Sequence, residues 1–416
     1  MGAFEQPIHN YSEIGELKSV LLHRPGKELE NLTPDTLTDL LFDDIPWLEK
    51  AQQEHDNFAD LLRSRGAEVL YLDQLTSEAL SDDAVRKRFI RDALETSLIS
   101  EARVRARVSA YLGDMDTINM VHSVMSGIRK DEIPGSDDVV SLHGLSSRNN
   151  LPFHLAPLPN LYFTRDPAAS IGDGLTINRM KYEARRRESL FMRYIVDHHP
   201  RFAETNTPVW HDRNTEHNME GGDELVLSDK VLAIGISQRT SAHAIENTAR
   251  NLFTYSGFEK IIAIQIPDSH AFMHLDTVFT MIDHDKFSIH PEIREGDKQM
   301  NIYVVSKKGE YGDYEVTEEH NFEQVLKESL ELDEVTLIEC GGGDPIAAAR
   351  EQWNDGSNTL AIAPGVVVTY DRNYVTNRAM RDAGLEVLEI EGAELGRGRG
   401  GPRCMSMPLA REDIVK

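Results

Sequence analysis

Two cysteines stand in this chain, and one has a setting that suits chemistry. Cys404 ends the run Gly396-Arg-Gly-Arg-Gly-Gly-Pro-Arg-Cys404, which holds four glycines and three arginines in the eight residues before the thiol. Nearby cations favour the thiolate, and the thiolate is the nucleophile. A buried, inert thiol is the competing reading. His274 and Asp276 lie two apart in Met273-His-Leu-Asp-Thr-Val-Phe279. At the mouth of a strand that spacing puts both on one face, as an acid/base and its carboxylate partner. A merely hydrogen-bonded strand-end pair fits the same spacing. Glu220-Gly-Gly-Asp223 sets two glycines between two acids, so that the backbone approaches a ligand closely or simply turns in solvent. Thr164-Arg-Asp166-Pro167 closes an apolar run with a proline that ends pairing, and a turn is its plain reading. Together these groups point to one chemistry. Carboxylates at fixed positions suit a planar guanidinium, whose donors form a fork. A thiolate facing the central carbon would carry out substitution there.

Metal and nucleotide chemistry find little support. The chain has no C-x-x-C and no H-E-x-x-H, and His198-His199 diverge on a helix or a strand alike. Gly341-Gly-Gly-Asp344 lacks the spacing and the lysine of a phosphate loop.

The elements that must carry these residues follow a recurring order: a strand or hairpin, an amphipathic helix, then a short apolar strand. The spacing predicts Leu17 to Leu22, a helix over Trp47 to Ser64, and Glu68 to Leu72. The next copies are Leu161 to Phe163 with Ala169 to Ile171, a helix over Arg186 to Asp197, and Pro208 to Trp210; then Glu224 to Leu227 with Val231 to Ile236, Ala242 to Tyr255, and Ile261 to Ile266. The last two are Val278 to Ile282 with Phe287 to His290, Phe322 to Leu330, and Val335 to Ile338; then Thr359 to Ile362 with Val366 to Tyr370, Asn377 to Asp382, and Leu385 to Ile390. Five such units suggest radial repetition, with an ordinary open α/β sheet as the alternative. Thr76 to Asp138 breaks the order and reads as consecutive helices. Their stripes are Val85, Phe89, Ala93 and Leu98; Val104, Val108, Tyr111 and Leu112; and Ile118, Val121, Met125 and Ile128. Ser81 and Ser100 are the expected N-caps, and Pro134-Gly135 ends the run.

The 416 residues carry 70 acids against 44 bases, a net charge of −26. That balance argues against nucleic acid and against an anionic membrane surface. Two cysteines make no disulfide framework, and the N-terminus lacks the basic and apolar regions of a signal peptide. A cytoplasmic, soluble protein is expected, and a homo-oligomer.

Pro159-Asn160-Leu-Tyr-Phe163-Thr-Arg-Asp166-Pro167, Glu220-Gly-Gly-Asp223, Met273-His274-Leu-Asp276 and Gly396-Arg-Gly-Arg399-Gly-Gly-Pro-Arg-Cys404-Met together resemble the bacterial arginine deiminase family. Glu13-Ile-Gly-Glu-Leu17, Val20-Leu-Leu-His-Arg-Pro-Gly26 and Leu41-Phe-Asp-Asp44 fit it too, and the resemblance runs in order from Tyr11 to Val415. It implies a five-bladed pseudo-symmetric α/β propeller, the pentein fold, over residues 1–75 and 149–416, with an inserted helical domain at 76–148. It implies hydrolysis of L-arginine to citrulline and ammonia through a covalent amidino-cysteine, with no cofactor and no catalytic metal. By resemblance Cys404 is the nucleophile and His274 the general acid/base. Asp166 and Asp276 clamp the guanidinium, and Glu220 holds His274. Asn160, Phe163, Arg185, Arg239, Arg399, Leu41 and Asp223 belong to the substrate pocket, with the arginines reaching the α-carboxylate. Some members carry His before the nucleophile where this chain has Arg403, so an altered thiolate or pH preference is expected. An amidinotransferase, a dimethylarginine or agmatine hydrolase, and a non-catalytic arginine-binding protein are the alternatives.

Overall fold

Short β-branched and apolar runs bounded by turn residues form strands, and five of them sit at the centre of similar small sheets. Val366–Tyr370 pairs antiparallel with Leu360–Ala363 and parallel with Glu386–Ile390. The parallel partner needs a crossover, and the helix Tyr374–Asp382 supplies it. The same order recurs three times more: Lys286–Ile289 lies between Phe279–Met281 and Thr336–Glu339, Val231–Ile236 between Glu224–Val226 and Lys260–Gln265, and Gly174–Ile177 between Ala168–Ile171 and Val209–His211. In the fifth sheet Leu17–Leu22 pairs parallel with Glu68–Tyr71, after the helix Leu48–Ser64, but its antiparallel neighbour is Met407–Arg411 from the far end of the chain. Strands covered on both faces read as unbroken apolar runs, as in the buried Val231-Leu-Ala-Ile-Gly235.

This computed structural model describes residues 6–97, 99, 101–133, 151–269, 271–294 and 300–414. Leu98, Ser100, Pro134-Gly135, the remainder of the helical stretch to Asp138, the 148/149 boundary and Val415 lie outside the described residues.

Several local expectations give way. Leu161 to Phe163 is not a strand. Pro159–Tyr162 is a 3-10 turn, and the hairpin instead runs across Gly172-Asp173. His274 and Asp276 do not share a strand face either. His274 is extended and Leu275–Thr277 forms a 3-10 turn, because strand pairing starts only at Phe279. Asn301–Lys307 and Tyr314–Glu319 form a further hairpin on the edge of the Lys260–Gln265 strand, and Pro345–Trp353 is an extra helix.

After the strand Glu68–Tyr71 and before Ala168–Ile171 run the helices Leu72–Ala79, Asp83–Glu95, Ala102–Gly113 and Thr117–Ser126. The first of them straddles residue 75. Asp82, not Ser81, caps the second helix, because its carboxylate reaches the Ala84 and Val85 N–H groups. The stripe residues Phe89, Ala93, Val104, Val108, Leu112, Val121 and Met125 are buried. They pack in one cluster with Leu21, Leu175, Phe191 and Met407, so the helices share a core with the neighbouring sheets. Among the described residues no helix is long and apolar enough to cross a membrane.

Candidate active site

The chemistry-bearing residues sit on turns that lead into or out of strands, and loops placed this way on a rigid scaffold are the usual carriers of function. A cavity of about 210 Å3, smaller than usual ligand pockets, brings most of them together, though Glu220 and Asp276 do not line it. Leu41, Asn160, Phe163, Asp166, Arg185, Arg239, His274, Arg399 and Cys404 all line it.

Asp166 and Asp276 are built alike. Arg185 Nη1 donates to Asp166 Oδ2 at 2.9 Å, and Arg403 Nη1 donates to Asp276 Oδ2 at 2.8 Å. The second oxygen of each carboxylate, Asp166 Oδ1 and Asp276 Oδ1, is buried with no hydrogen-bond partner. Buried acceptors are ordinarily satisfied, so two orphaned oxygens in one site call for a donor-rich ligand. Each arginine is in turn braced by a glutamate: Arg185 by Glu188, Arg403 by Glu13.

His274 Nε2 lies 2.9 Å from Glu220 Oε2, and its Nδ1 lies 4.0 Å from Asp166 Oδ1. Burial alone would lower the imidazole, but Asp166 and the Glu220 hydrogen bond outweigh it and raise it to about 9. Glu220 is pushed up by burial and pulled down harder by Arg239 and His274, to about 2. It accepts from the Lys181 N–H at 2.9 Å and from Arg239 Nη1 at 3.1 Å. One of the two glycines after it serves the histidine directly, while the other, Gly221, makes room for the Arg165 carbonyl. A Cβ on Gly222 would lie 2.7 Å from the His274 ring, so the close approach is to the imidazole and not to a ligand.

Cys404 is buried, with its Sγ 3.6 Å from Asp276 Oδ2 and its N–H donating to Asn358 Oδ1 at 3.1 Å. The expectation of an electropositive thiolate fails here. Burial first, then Asp276, Asp166 and Asp355, hold the thiol well above its ordinary value, against the opposing pull of Arg403. The other two loop arginines face different partners. Arg397 pairs with Asp44 and Glu394, and Arg399 lies 3.5 Å over the Trp353 ring.

Asp223 does not line the cavity. Its carboxylate accepts from the Leu275 N–H at 2.8 Å and the Ser237 hydroxyl at 2.7 Å, and so fixes the turn that carries His274. Arg185 lines the cavity, but its guanidinium is already shared between Asp166 and Glu188. Arg239 pairs with Glu220 and lies 4.6 Å over the half-exposed Tyr182 ring. Asn160 donates to the Leu40 carbonyl at 2.8 Å and so holds the Leu41 turn. Leu41 and Arg399 both have positive φ, 58° and 63°, which is uncommon for residues other than glycine. Gly398 lets the Arg399 loop lie against Tyr162, whose hydroxyl would be 2.1 Å from a Cβ there.

Asp166, Glu220 and His274 present ligand atoms within 4.8 Å of one another, close enough to hold a cation. The set does not suit a metal, because Arg185 and Arg239 already engage its carboxylates and the imidazole favours its protonated form. Sequence reading gave no role to Glu13 or Met273, although each opens a run that carries the resemblance, and it did not single out Glu188, Asp355, Tyr182 or Gln238, which stand in no spaced motif.

The sequence profile of the arginine deiminase family matches residues 38–411. An arginine deiminase of Latilactobacillus sakei subsp. sakei is 57% identical over 413 residues, covering 99% of each chain. One from Oenococcus oeni is 56% identical over 414 residues, again covering 99% of each. Among solved structures, DDAH from Pseudomonas aeruginosa superposes with a TM-score of 0.53 at 15% identity, covering 94% of this chain and 99% of its own. An amidinotransferase from Microseira wollei gives 0.55 at 13% identity, covering 99% of both. These pentein enzymes share the fold of small mixed sheets. With its family profile and its near-full-length relatives, the chain belongs to the arginine deiminase family.

Proposed function

We propose that the protein hydrolyses L-arginine to L-citrulline and ammonia through a covalent amidino-cysteine on Cys404. The observation that carries this reading is the pair of orphaned oxygens, Asp166 Oδ1 and Asp276 Oδ1, beside one thiol and one imidazole. A guanidinium supplies donors on two edges and can satisfy both oxygens at once. Arg239 and Arg399 contact the more exposed groups Tyr182, Trp353 and Asp43, so the cavity is acidic within and basic toward its opening. That polarity matches a cationic side chain carrying an α-carboxylate.

The chemistry follows from the charges. The arriving guanidinium neutralises the carboxylates that hold the Cys404 proton, and the proton leaves to solvent. The thiolate attacks the guanidinium carbon, and the clamped geometry supplies proximity, an effect of up to about 7–11 kcal/mol. His274, charged at neutral pH, protonates the departing nitrogen as ammonia and becomes a base. Water adds to the S-alkylthiouronium and His274 takes one of its protons; the C–S bond then breaks, the sulfur leaves as the Cys404 thiol with the remaining hydroxyl proton, and citrulline departs. The net change is arginine cation plus water to citrulline plus ammonium.

We assign the five mixed sheets to the blades of a closed ring, in which Met407–Arg411 completes the sheet of Leu17–Leu22. Residues 1–75 and 149–416 then form the catalytic domain and 76–148 the insert. The two free cysteines fit a reducing, cytoplasmic setting, and a homo-oligomer accompanies this reading. Incubating the protein with L-arginine and assaying citrulline and ammonia tests it. Stoichiometric release of both supports the reading, and an amidino group found on an added amine instead of lost to water overturns it.

A further inference from the structure

A second cavity, of about 610 Å3, lies between the helices Asp83–Glu95 and Glu188–His198 and is walled also by Arg179, Met180, Arg186, Arg213 and Asn214. Five arginines line it: Arg88, Arg179, Arg186, Arg193 and Arg213. In a chain with 70 acids against 44 bases, an arginine should find a carboxylate easily. Arg193 does, pairing with Asp197 and, at 3.3 Å, with Asp212. The other four have no carboxylate within salt-bridge distance among the described residues. Arg88 donates to His198 Nε2 at 2.8 Å and lies 6.0 Å over the Tyr194 ring. Arg213 donates to the Ser189 hydroxyl at 3.1 Å and to the Arg186 carbonyl at 2.9 Å. The guanidinium groups of Arg179 and Arg186 have no hydrogen bond or ion pair among the described residues, and the Nε atom of each is buried.

Unpaired, half-buried guanidinium groups crowded in one cavity oppose folding, since each loses hydration and repels its neighbours. The acids that face the cavity do not cancel them. Asp92 is held by Arg91 and the Tyr194 hydroxyl, Asp197 and Asp212 belong to Arg193, and Glu95 is exposed. We infer that this cavity binds a phosphate-bearing small molecule, with its oxygens held by Arg179, Arg186 and Arg213. Planar guanidinium forks match phosphate oxygens two at a time. A phosphoryl group brings the multiple charge that three such forks require, whereas a single carboxylate leaves most of it uncompensated. Met180, Leu190 and Tyr194 offer an apolar wall for the rest of the molecule, and the volume falls in the range of small-ligand pockets. The site is separate from the catalytic cavity, although Arg186 and Ser189 directly follow Arg185 and Glu188 of that site.

Isothermal titration with inorganic pyrophosphate, at ionic strength matched with sodium chloride, tests this. Wild-type protein should show one saturable site per chain. The double variant Arg179→Gln/Arg186→Gln should bind at least about 100-fold more weakly. Its melting temperature without ligand should be unchanged or higher, because two unpaired charges are gone. Arg186→Lys keeps the charge and loses the fork, and should weaken binding about tenfold. Absence of saturable heat in the wild type overturns the inference. So does pyrophosphate affinity that survives in the double variant, or a marked fall in its melting temperature, which would make the arginines structural. Loss of self-association in the double variant, with no pyrophosphate binding by wild type, would make the cavity a contact between copies and equally overturn it.

Discussion

The two arms of the catalytic site are built on one plan and charged differently. On one side stand Asp166, Arg185 and Glu188; on the other stand Asp276, Arg403 and Glu13. Each arm runs from a carboxylate with one orphaned oxygen, through an arginine, to a bracing glutamate. The braces differ. Burial lifts Glu188 to about 7, and Arg185, which it shares with Asp166 and Glu220, cannot bring it down. Burial would lift Glu13 too, but Arg403, Arg165 and Arg411 bring it to about 2. The first arm is therefore acid-rich and the second base-rich. On the proposed reading the reacting groups follow: Asp166 keeps His274 protonated as an acid, while burial and Asp276 keep Cys404 protonated until a cation arrives. Two similar clamps would then hold an acid ready and a nucleophile in check.

Removing the group between the arms has the largest effect. Cys404→Ser leaves both arms intact, and citrulline formation should fall by at least ~10^4-fold, since a hydroxyl without an adjacent base is a poor nucleophile. Acid-quenched wild type should carry the amidino adduct on Cys404 and not on Cys340, which burial holds at about 11. Turnover near the wild-type rate in the Ser variant would remove the covalent step.

Breaking one arm at a time should separate their roles. Asp166→Asn and Asp276→Asn each place an N–H against a cation, and each should lower kcat by about 10^2–10^4-fold. Melting temperatures should change little, because Arg185 keeps Glu188 and Arg403 keeps Glu13. The titrations should diverge. Asp276→Asn should lower the pH at which Cys404 is alkylated by iodoacetamide, whereas Asp166→Asn should lower the His274 transition seen by NMR. Equal shifts of both groups in both variants would show that the arms act as one field. A destabilised but fully active Asp166→Asn protein would refute the clamp itself.

Recognition of the substrate's other end gives a smaller effect. Arg399→Ala should reduce kcat/KM for arginine by about 10–100-fold and spare agmatine, since a charge-assisted contact is worth roughly 1.5–3 kcal/mol. Arg239→Ala should weaken both substrates, because Arg239 also holds Glu220. Equal losses on arginine and agmatine in the Arg399 variant would make that residue structural.

Much of this arrangement was legible because its residues stand in short, chemically odd runs. Glu220-Gly-Gly-Asp223 and the loop before Cys404 combine charge with glycine in ways that surface turns rarely do. The sheets were legible because buried strands read as apolar runs and crossover helices as stripes. What was not legible came from distance. Glu13 meets Arg403 across 390 residues, and Met407–Arg411 pairs with the first strand, contacts that no local pattern encodes. The thiol's electrostatics were misread for the same reason. Arg397 and Arg399 lie within seven residues of Cys404 in sequence, yet Asp44 and Trp353 draw them away, while Asp276 and Asp166 arrive from other sheets.

The smallest effect on turnover, and the sharpest test of the asymmetry, comes from the braces. Glu13 has its folded value depressed from about 4.5 to about 2. It therefore adds stability above pH ~4.5 that is lost as pH falls toward 2, on the order of 3 kcal/mol. Glu188 has its folded value raised from about 4.5 to about 7. Its unfolded form ionises first as pH rises through ~4.5, so its presence lowers stability progressively up to about pH 7. Glu13→Gln should then cost roughly 3–5 kcal/mol in urea unfolding at pH 7, because Arg403 keeps only Asp276 while the buried Arg165 and Arg411 lose the carboxylate they share with it. Glu188→Gln should leave stability at pH 7 unchanged or higher and remove the decline between pH 4.5 and 7. Arg185 stays compensated in that variant by Asp166 and, at 3.9 Å, Glu220. Unfolding curves for both variants at pH 3, 5 and 7 decide the matter. Equal destabilisation by the two substitutions at pH 7 would mean that the arms carry the same electrostatics, and the division of labour between acid and nucleophile would need another cause.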